Sequence, residues 1–318
     1  MAEREQKSNL VLYAALAANL GIAIAKFVAA AISGSSSMMS EGFHSVVDTG
    51  NQILLLYGRH RAKKPPDHQH PFGYGRELYF WSFVVAILIF AIGAGVSAFE
   101  GYRHIVEPEE MTSATLNYVV LAVSAALEGT SWSLAIREFA KSKGSEGWWH
   151  AIRQSKDPPN FIVLFEDSAA LAGLAVAAVG VWASHHFDMP WLDGLASIGI
   201  ALILAAVAVL LAREAKGLLI GERADETVIA RVHDLIAAYP AVSSVNHVRT
   251  VHTGPEEVFV AISVDFRDDV TMGEAETLIE QIEAHLRESL PQLGSIYIRP
   301  EKRENATVVP IRRPGSAQ

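Results

Sequence analysis

Two pairs of ionisable residues lie inside apolar stretches of this chain, where they could bind a cation. His44 and Asp48 are four residues apart, which on a helix places both side chains on one face, one turn apart. Glu166 and Asp167 are adjacent in another apolar stretch. An ionisable side chain in the middle of a bilayer costs about 2.5–3.5 kcal/mol on insertion scales, so such residues usually mark an ion pathway or a buried pairing.

The residue types of these pairs predict a metal site made of His44, Asp48, Asp167 and Glu166. Imidazole and carboxylate groups suit zinc, and they also accept iron, cobalt or manganese. The same groups bind protons, so a metal ion and protons compete for one site. The alternative is structural, with the same residues forming a buried ion pair or a polar seam between helices.

Further polar residues near these pairs predict a second layer of the site or a proton relay. Glu41, Asn51 and Gln52 share or flank the His44 face, where they either orient the ligands or hydrogen-bond between helices. Glu128 lies near the centre of an apolar stretch, where it is an extra ligand, a proton carrier or a structural partner of another polar residue. Lys26 is the candidate for that partner, unless its side chain extends outward to the interface.

Three other features have a possible role outside the site. Asp67 and His70, in a loop rich in Pro and Gly, form either a weak metal site or an ordinary loop. Asp193 begins an apolar stretch, which favours a helix N-cap over a metal ligand. Gly93 and Ser97 have a spacing that allows close helix contact, either in a dimer or within one chain.

The composition indicates one domain in lipid and one in water. Of 318 residues, 50% are hydrophobic, and the long apolar runs lie before residue 220. The chain has no cysteine, so any transition-metal site must use His, Asp and Glu. A formal net charge of −9 argues against nucleic acid as a partner.

Hydropathy predicts an integral membrane protein with six transmembrane helices and both termini in the cytoplasm. Loops on one side carry fourteen Lys and Arg residues, whereas the other side has only Arg103. With this orientation, Asp48 and Asp167 lie about 15 Å and about 18 Å from the outer boundary of a hydrocarbon core of about 30 Å. The two positions therefore meet at nearly the same depth. The predicted spans are 10–33, 38–60, 78–104, 114–138, 160–184 and 190–213.

The C-terminal part predicts a small α+β domain in the order helix, strand, strand, helix, strand. Gly254-Pro255 marks a turn between the strands, and Thr271 followed by Glu274 is a capping box. We expect a transmembrane domain over 8–216, a cytoplasmic αββαβ domain over 217–301 and a disordered tail over 302–318.

Several segments resemble the cation diffusion facilitator family. ANLGIAIAKFVAAAISGSSSMMSEGFHSVVDTGNQ is similar to its first two spans, HPFGYGRE to its second loop, and the αββαβ tail to its cytoplasmic domain. The resemblance implies a homodimeric carrier that exports zinc, or the related ions Mn²⁺, Fe²⁺ or Co²⁺, in exchange for protons by alternating access. It implies a ferredoxin-like tail that aids dimerisation, no cofactor, and a bacterial plasma membrane.

The chain departs from the family pattern at three places. Val163 stands where the fifth span usually carries its first ligand, and the local Glu-Asp run resembles the branch that includes mitochondrial zinc transporters. Adjacent residues point about 100° apart on a helix, so Glu166 joins Asp167 at one ion only if the helix is distorted. Ser263 and Arg299 replace regulatory ligands of the tail, which predicts a reduced metal site there, and Tyr74 replaces a loop histidine.

Two other classes of function use the same residues. A membrane-embedded metal hydrolase would need an open coordination position and a general base, for which Glu128 is the candidate. A metal sensor would need an output surface, and only a short tail follows residue 301. The resemblance favours the transporter.

Overall fold

The computed structural model describes residues 2–109, 114–143, 147–148, 151–152 and 155–306. The chain divides into two compact units. A helical unit contains the residues up to 61 and from 77 to 216, and a sheet unit contains 62–76 and the residues from 217 onward. The predicted disordered tail, 302–318, lies outside the described residues from position 307.

The helical unit is built from long helices. They are α1 (Ala2–Ser33), α2 (Ser36–Ala62), α3 (Glu77–Leu88), α4 (Gly95–Val106), α5 (Ala114–Ser142), α6 (Pro158–Phe187) and α7 (Trp191–Ile220). A π-helical segment, Ile89–Ala94, joins α3 to α4, so the two continue as one rod. The hydropathy did not predict this segment, because a π-turn leaves the apolar pattern unbroken.

Among the described residues, four helices are long and apolar enough to cross a membrane, and a shorter apolar helix covers Asn19–Ser33. The four are Glu77–Val106, Ala114–Lys141, Phe161–Phe187 and Trp191–Ile220. The prediction of a helical membrane domain is therefore confirmed. The polar residues of α2, among them Glu41, His44 and Asn51, are buried, and their presence lowers the hydropathy of that helix.

Small residues let α4 and α7 meet at backbone distance. A Cβ on Gly101 would come within 2.7 Å of the carbonyl oxygen of Gly194, so both positions need glycine. One and two turns earlier, Ser97 is fully buried and Gly93 lies against Leu204 of α7. The Gly93–Ser97 spacing thus serves packing within the chain, which was one of the two alternatives.

Asp193 caps a helix other than its own. Its carboxylate accepts the backbone N–H of Ser37 at 3.1 Å and the hydroxyls of Ser35, Ser36 and Ser37. These residues form the turn into α2, whereas Asp193 lies in the first turn of α7. The prediction of a local N-cap was wrong, because Asp193 lies within the first turn of α7 rather than before it, and its carboxylate accepts hydrogen bonds from the serines instead.

The sheet unit contains a three-stranded sheet and two helices, as predicted. In chain order these are α8 (Glu226–Ala237), β1 (Val242–Gly254), β2 (Glu257–Phe266), α9 (Met272–Ser289) and β3 (Leu293–Pro300). Strand β2 lies in the centre, antiparallel to β1 and parallel to β3. Alternate residues of β2, such as Val260 and Ile262, pack against Ile236 of α8 and Ile282 of α9.

Two local predictions in this unit are confirmed. Gly254 pairs with Glu257 across the hairpin turn between β1 and β2. Thr271 and Glu274 form the capping box of α9, with the Thr271 N–H donating to Glu274 Oε2 at 2.8 Å. These hydrogen bonds from Thr271 lower the pKa of Glu274 below its usual value, since they favour the charged form.

Candidate functional site

His44 and Asp48 lie on the inward face of α2, one turn apart, as predicted. His44 Nδ1 is 3.4 Å from Asp48 Oδ1, and both side chains are largely buried. Among the described residues, neither ring nitrogen of His44 has a hydrogen-bond partner, and the same holds for Asp48 Oδ1. Buried polar atoms are nearly always paired, so unpaired ones at one place indicate a ligand site.

Glu166 and Asp167 project from α6 toward two different helices. Glu166 Oε1 accepts a hydrogen bond from Asn51 Nδ2 of α2 at 2.8 Å. Asp167 Oδ2 accepts one from the Ser131 hydroxyl of α5, also at 2.8 Å. Because adjacent residues on a helix point in different directions, Glu166 reaches α2 while Asp167 reaches α5.

A cavity of about 300 Å³ lies between these helices, and four carboxylates line it: Asp48, Glu128, Glu166 and Asp167. Polar side chains complete much of the wall, namely Asn19, Ser45, Gln52 and Ser131, while Ile22, Leu127 and Leu134 supply apolar surface. At about 30 Å³ per molecule, the volume has room for about ten waters. The predicted acidic residues of α2, α5 and α6 therefore converge on one hydratable space.

The four predicted ligands do not surround a single position at which a metal ion could bind. His44 is buried beside the cavity and is not among the residues that line it. Over the part of the chain that the structure describes, no three His, Asp or Glu side chains are grouped closely enough to hold a metal ion. The described helices therefore bring these side chains near one cavity without forming a coordination shell.

The candidates for the second layer have different partners. Asn51 holds the Glu166 carboxylate, and Gln52 Oε1 accepts a hydrogen bond from Asn19 Nδ2 of α1 at 3.2 Å. Glu41 instead forms an ion pair with Lys26, at 2.9 Å from Nζ to Oε2. Lys26, the suggested partner of Glu128, donates its direct hydrogen bonds to Glu41 and Ser45.

The loop candidates Asp67 and His70 are exposed, and other protein groups already occupy the Asp67 carboxylate. Asp67 Oδ2 accepts the Tyr74 hydroxyl at 2.6 Å, and Oδ1 accepts the N–H groups of Gln69 and His70. The Tyr74 hydrogen bond, followed by that from His70, lowers the pKa of Asp67. His70 Nδ1 lies 3.6 Å from Asp67 Oδ1. These hydrogen bonds within the loop favour an ordinary loop over a weak metal site at Asp67 and His70.

The strand positions Ser263 and Arg299 form a polar network within the sheet unit. The Ser263 hydroxyl donates to Glu301 Oε2 at 2.7 Å and accepts from Asn246 Nδ2 at 3.1 Å. Arg299 lies 3.4 Å from the other oxygen of Glu301. These contacts occupy the polar groups of Ser263 and Arg299.

The sequence reasoning missed three wall residues of the cavity, Asn19, Ser45 and Ser131. Helical spacing was the available signal. Ser131 follows Glu128 by three residues, and Asn19 precedes Lys26 by seven, so each pair shares a helix face. Small polar residues in apolar spans were given too little weight beside the charged ones.

Comparison with known proteins gives two family matches. Residues 12–220 match the model described as the cation efflux transmembrane domain, and 224–303 match that of the cation efflux protein cytoplasmic domain. A relative from Xenopus laevis, named proton-coupled zinc antiporter SLC30A9, mitochondrial, is 34% identical over 76% of this chain and 44% of its own length. Metal tolerance protein C4 of Arabidopsis thaliana is 30% identical over 84% of this chain and 59% of its own.

A third relative matches over nearly all of both chains. The magnetosome protein MamM of Paramagnetospirillum magneticum is 23% identical over 93% of this chain and 89% of its own. By contrast, the chain spans less than half of the length of the Xenopus laevis relative.

Proposed function

Because this chain belongs to the cation efflux family, we propose that it is a membrane transporter that carries Zn²⁺ out of the cytoplasm in exchange for protons. The resemblance that the motifs predicted is thereby confirmed. The observation that carries the proposal is the convergence of Asp48, Glu128, Glu166 and Asp167 on one cavity inside the helical unit. The name of the Xenopus laevis relative, a proton-coupled zinc antiporter, supports the choice of ions.

The geometry of α2 suits a tetrahedral zinc ion. Zinc ligands at about 2.0–2.1 Å in tetrahedral geometry lie about 3.3 Å from each other. His44 Nδ1 and Asp48 Oδ1 are 3.4 Å apart, which fits one edge of such a tetrahedron. Asp167 and Glu166 of α6 would supply the remaining ligands when the cavity closes, held in place by Ser131 and Asn51.

Exchange for protons follows from the chemistry of the ligands. A carboxylate or imidazole that binds Zn²⁺ must first release its proton, and it can take one up again when the ion leaves. Since no thiolate is present, the affinity stays moderate, which favours release. Glu128 lines the cavity from α5, whereas the proposed ligands lie on α2 and α6. It is therefore suited to pass protons to and from the site.

The proposal includes six membrane spans, with α1 and α2 added to the four apolar helices, and a homodimer in a bacterial plasma membrane. In a six-span bundle the other helices shield the buried polar face of α2 from lipid. The basic residues on one side of the spans support cytoplasmic termini. The family assignment disfavours the hydrolase and sensor alternatives, which would need a reaction or an output in addition to the cavity.

Reconstitution into liposomes with an imposed pH gradient tests this function. We expect gradient-driven Zn²⁺ flux in the wild type, and loss of that flux in Asp48→Ala and Asp167→Ala. The matched control is Asp188→Asn, which alters an exposed carboxylate at the end of α6 where asparagine tolerates the left-handed backbone. The same flux measurements with Mn²⁺, Fe²⁺ and Co²⁺ identify which ion is transported. Unchanged zinc flux in both cavity variants would refute the proposed site.

A further inference from the structure

One face of α2 carries polar residues beyond the end of the cavity. Glu41, Ser45, Asp48 and Gln52 follow at steps of four, three and four residues, which keeps them on one side of the helix. Ser45, Asp48 and Gln52 line the cavity, whereas Glu41 is fully buried and is not among the lining residues. Glu41 and Asp48 are separated by about 10 Å of helix rise. The polar face therefore continues about two turns past Asp48 into packed protein.

Lys26 of α1 stands where the cavity ends. Its ammonium donates to the Ser45 hydroxyl at 2.8 Å and to Glu41 Oε2 at 2.9 Å. Both members of the Lys26–Glu41 ion pair are 0% exposed. A buried cation of the protein thus separates the last hydroxyl of the cavity wall from the carboxylate behind it.

Two observations indicate more than a structural contact. Buried ion pairs are often no more stable than apolar pairs of similar volume, so stability alone is a weak reason for this one. In addition, Glu41 Oε1 has no hydrogen-bond partner among the described residues. Gly173 of α6 leaves room for this oxygen, since a Cβ there would collide with it. A buried, half-paired carboxylate in line with the cavity is suited to receive a cation.

We propose that Lys26 and Glu41 form a gate, in which their ion pair closes the cavity at Ser45 and separates when a cation passes from Asp48 to Glu41. In the closed state the ammonium compensates the charge of Glu41, and after Lys26 withdraws the arriving dication takes over the carboxylate. Lys26 is then a positioning residue, and Glu41 is an additional cation site. This role presupposes the transport function proposed above.

An apolar replacement of the pair separates a gate from a structural contact. The double variant Lys26→Met, Glu41→Met keeps the side-chain volume, and such replacements usually preserve stability. It leaves Asp48, Glu166 and Asp167 in place, so the gate predicts zinc affinity within about threefold of the wild type in detergent. Flux in liposomes should fall roughly a hundredfold, because the ion then passes apolar side chains.

Ser33→Ala is the control, since the Ser33 hydroxyl is buried in α1 and its bonds are to the backbone of Ala29 and Ser35. It should transport as the wild type does. Wild-type flux in the double variant would mean that the pair is structural only. A loss of zinc affinity as large as the loss of flux would mean that the variant has damaged the Asp48 site. Either result overturns the gate, while a wild type without gradient-driven Zn²⁺ flux would instead overturn the transport function.

Thiol labelling gives a second test that does not depend on the double variant. The chain has no cysteine, so Ser40→Cys places a single thiol next to Glu41 in sequence, at a fully buried position. Glu41→Gln replaces the ion pair by a weaker hydrogen bond from the ammonium to an uncharged amide oxygen, which should open the gate more often and raise the rate of maleimide labelling about tenfold. An unchanged labelling rate would refute the gate.

Discussion

The role of Glu166 can be tested through the residue that holds it. Asn51 donates to Glu166 Oε1 at 2.8 Å, and both side chains are buried. A hydrogen bond to a charged group contributes about 1.5–3 kcal/mol, which corresponds to about 10- to 100-fold in an equilibrium constant. If Glu166 is a zinc ligand, Asn51→Ala should weaken zinc binding by that factor, because the carboxylate loses the contact that orients it.

A double-mutant cycle makes this expectation specific. Zinc affinity is measured by calorimetry in detergent for the wild type, Asn51→Ala, Glu166→Ala and the double variant. Once Glu166 is absent, Asn51→Ala should have no further effect, so the interaction energy should be about 1.5–3 kcal/mol. Ser82→Ala is the control, since that buried hydroxyl donates to the Leu78 carbonyl within α3. Additive effects, or an affinity for Asn51→Ala within threefold of the wild type, would show that Glu166 does not bind the ion.

Further predictions concern other contacts. Ser131→Ala should weaken zinc binding about tenfold in the same assay, because Asp167 loses its donor; an unchanged affinity would exclude an orienting role. Asp193→Ala should lower the stability of the protein by about 3 kcal/mol in thermal unfolding, since it leaves buried donors at the start of α2 without their acceptor; Asp188→Asn is the comparison. Tyr74→Phe should raise the pKa of Asp67 toward its usual 3.8, as read by carboxyl NMR. In the wild type the lowered pKa adds stability above pH 3.8 that is lost as the pH falls toward the folded-state pKa, and this loss should shrink in the variant.

Local patterns in the sequence predicted the elements well. The four-residue spacing of His44 and Asp48 placed both on the inward face of α2, and the capping box at Thr271 marked the start of α9. Such features depend on residues within one or two helical turns, so propensity and periodicity are sufficient to find them.

Contacts between distant helices could not be predicted in the same way. Lys26 and Asp193 each bind partners on α2 or its preceding turn, and nothing in their own neighbourhoods identifies those partners. The objection that Glu166 and Asp167 diverge on a regular helix was geometrically correct. However, α6 faces the space between α2 and α5, so divergent side chains still line one cavity.

The size of the cavity lined by the four carboxylates is relevant to ion selectivity. With room for about ten waters, it admits a dication that still carries its hydration shell. Magnesium gives up its waters reluctantly, whereas zinc readily exchanges them for imidazole and carboxylate groups. If the chain transports zinc as proposed, selection would take place after entry, when the helices close around an ion that has lost its waters, and Mg²⁺ should then enter and leave without being transported.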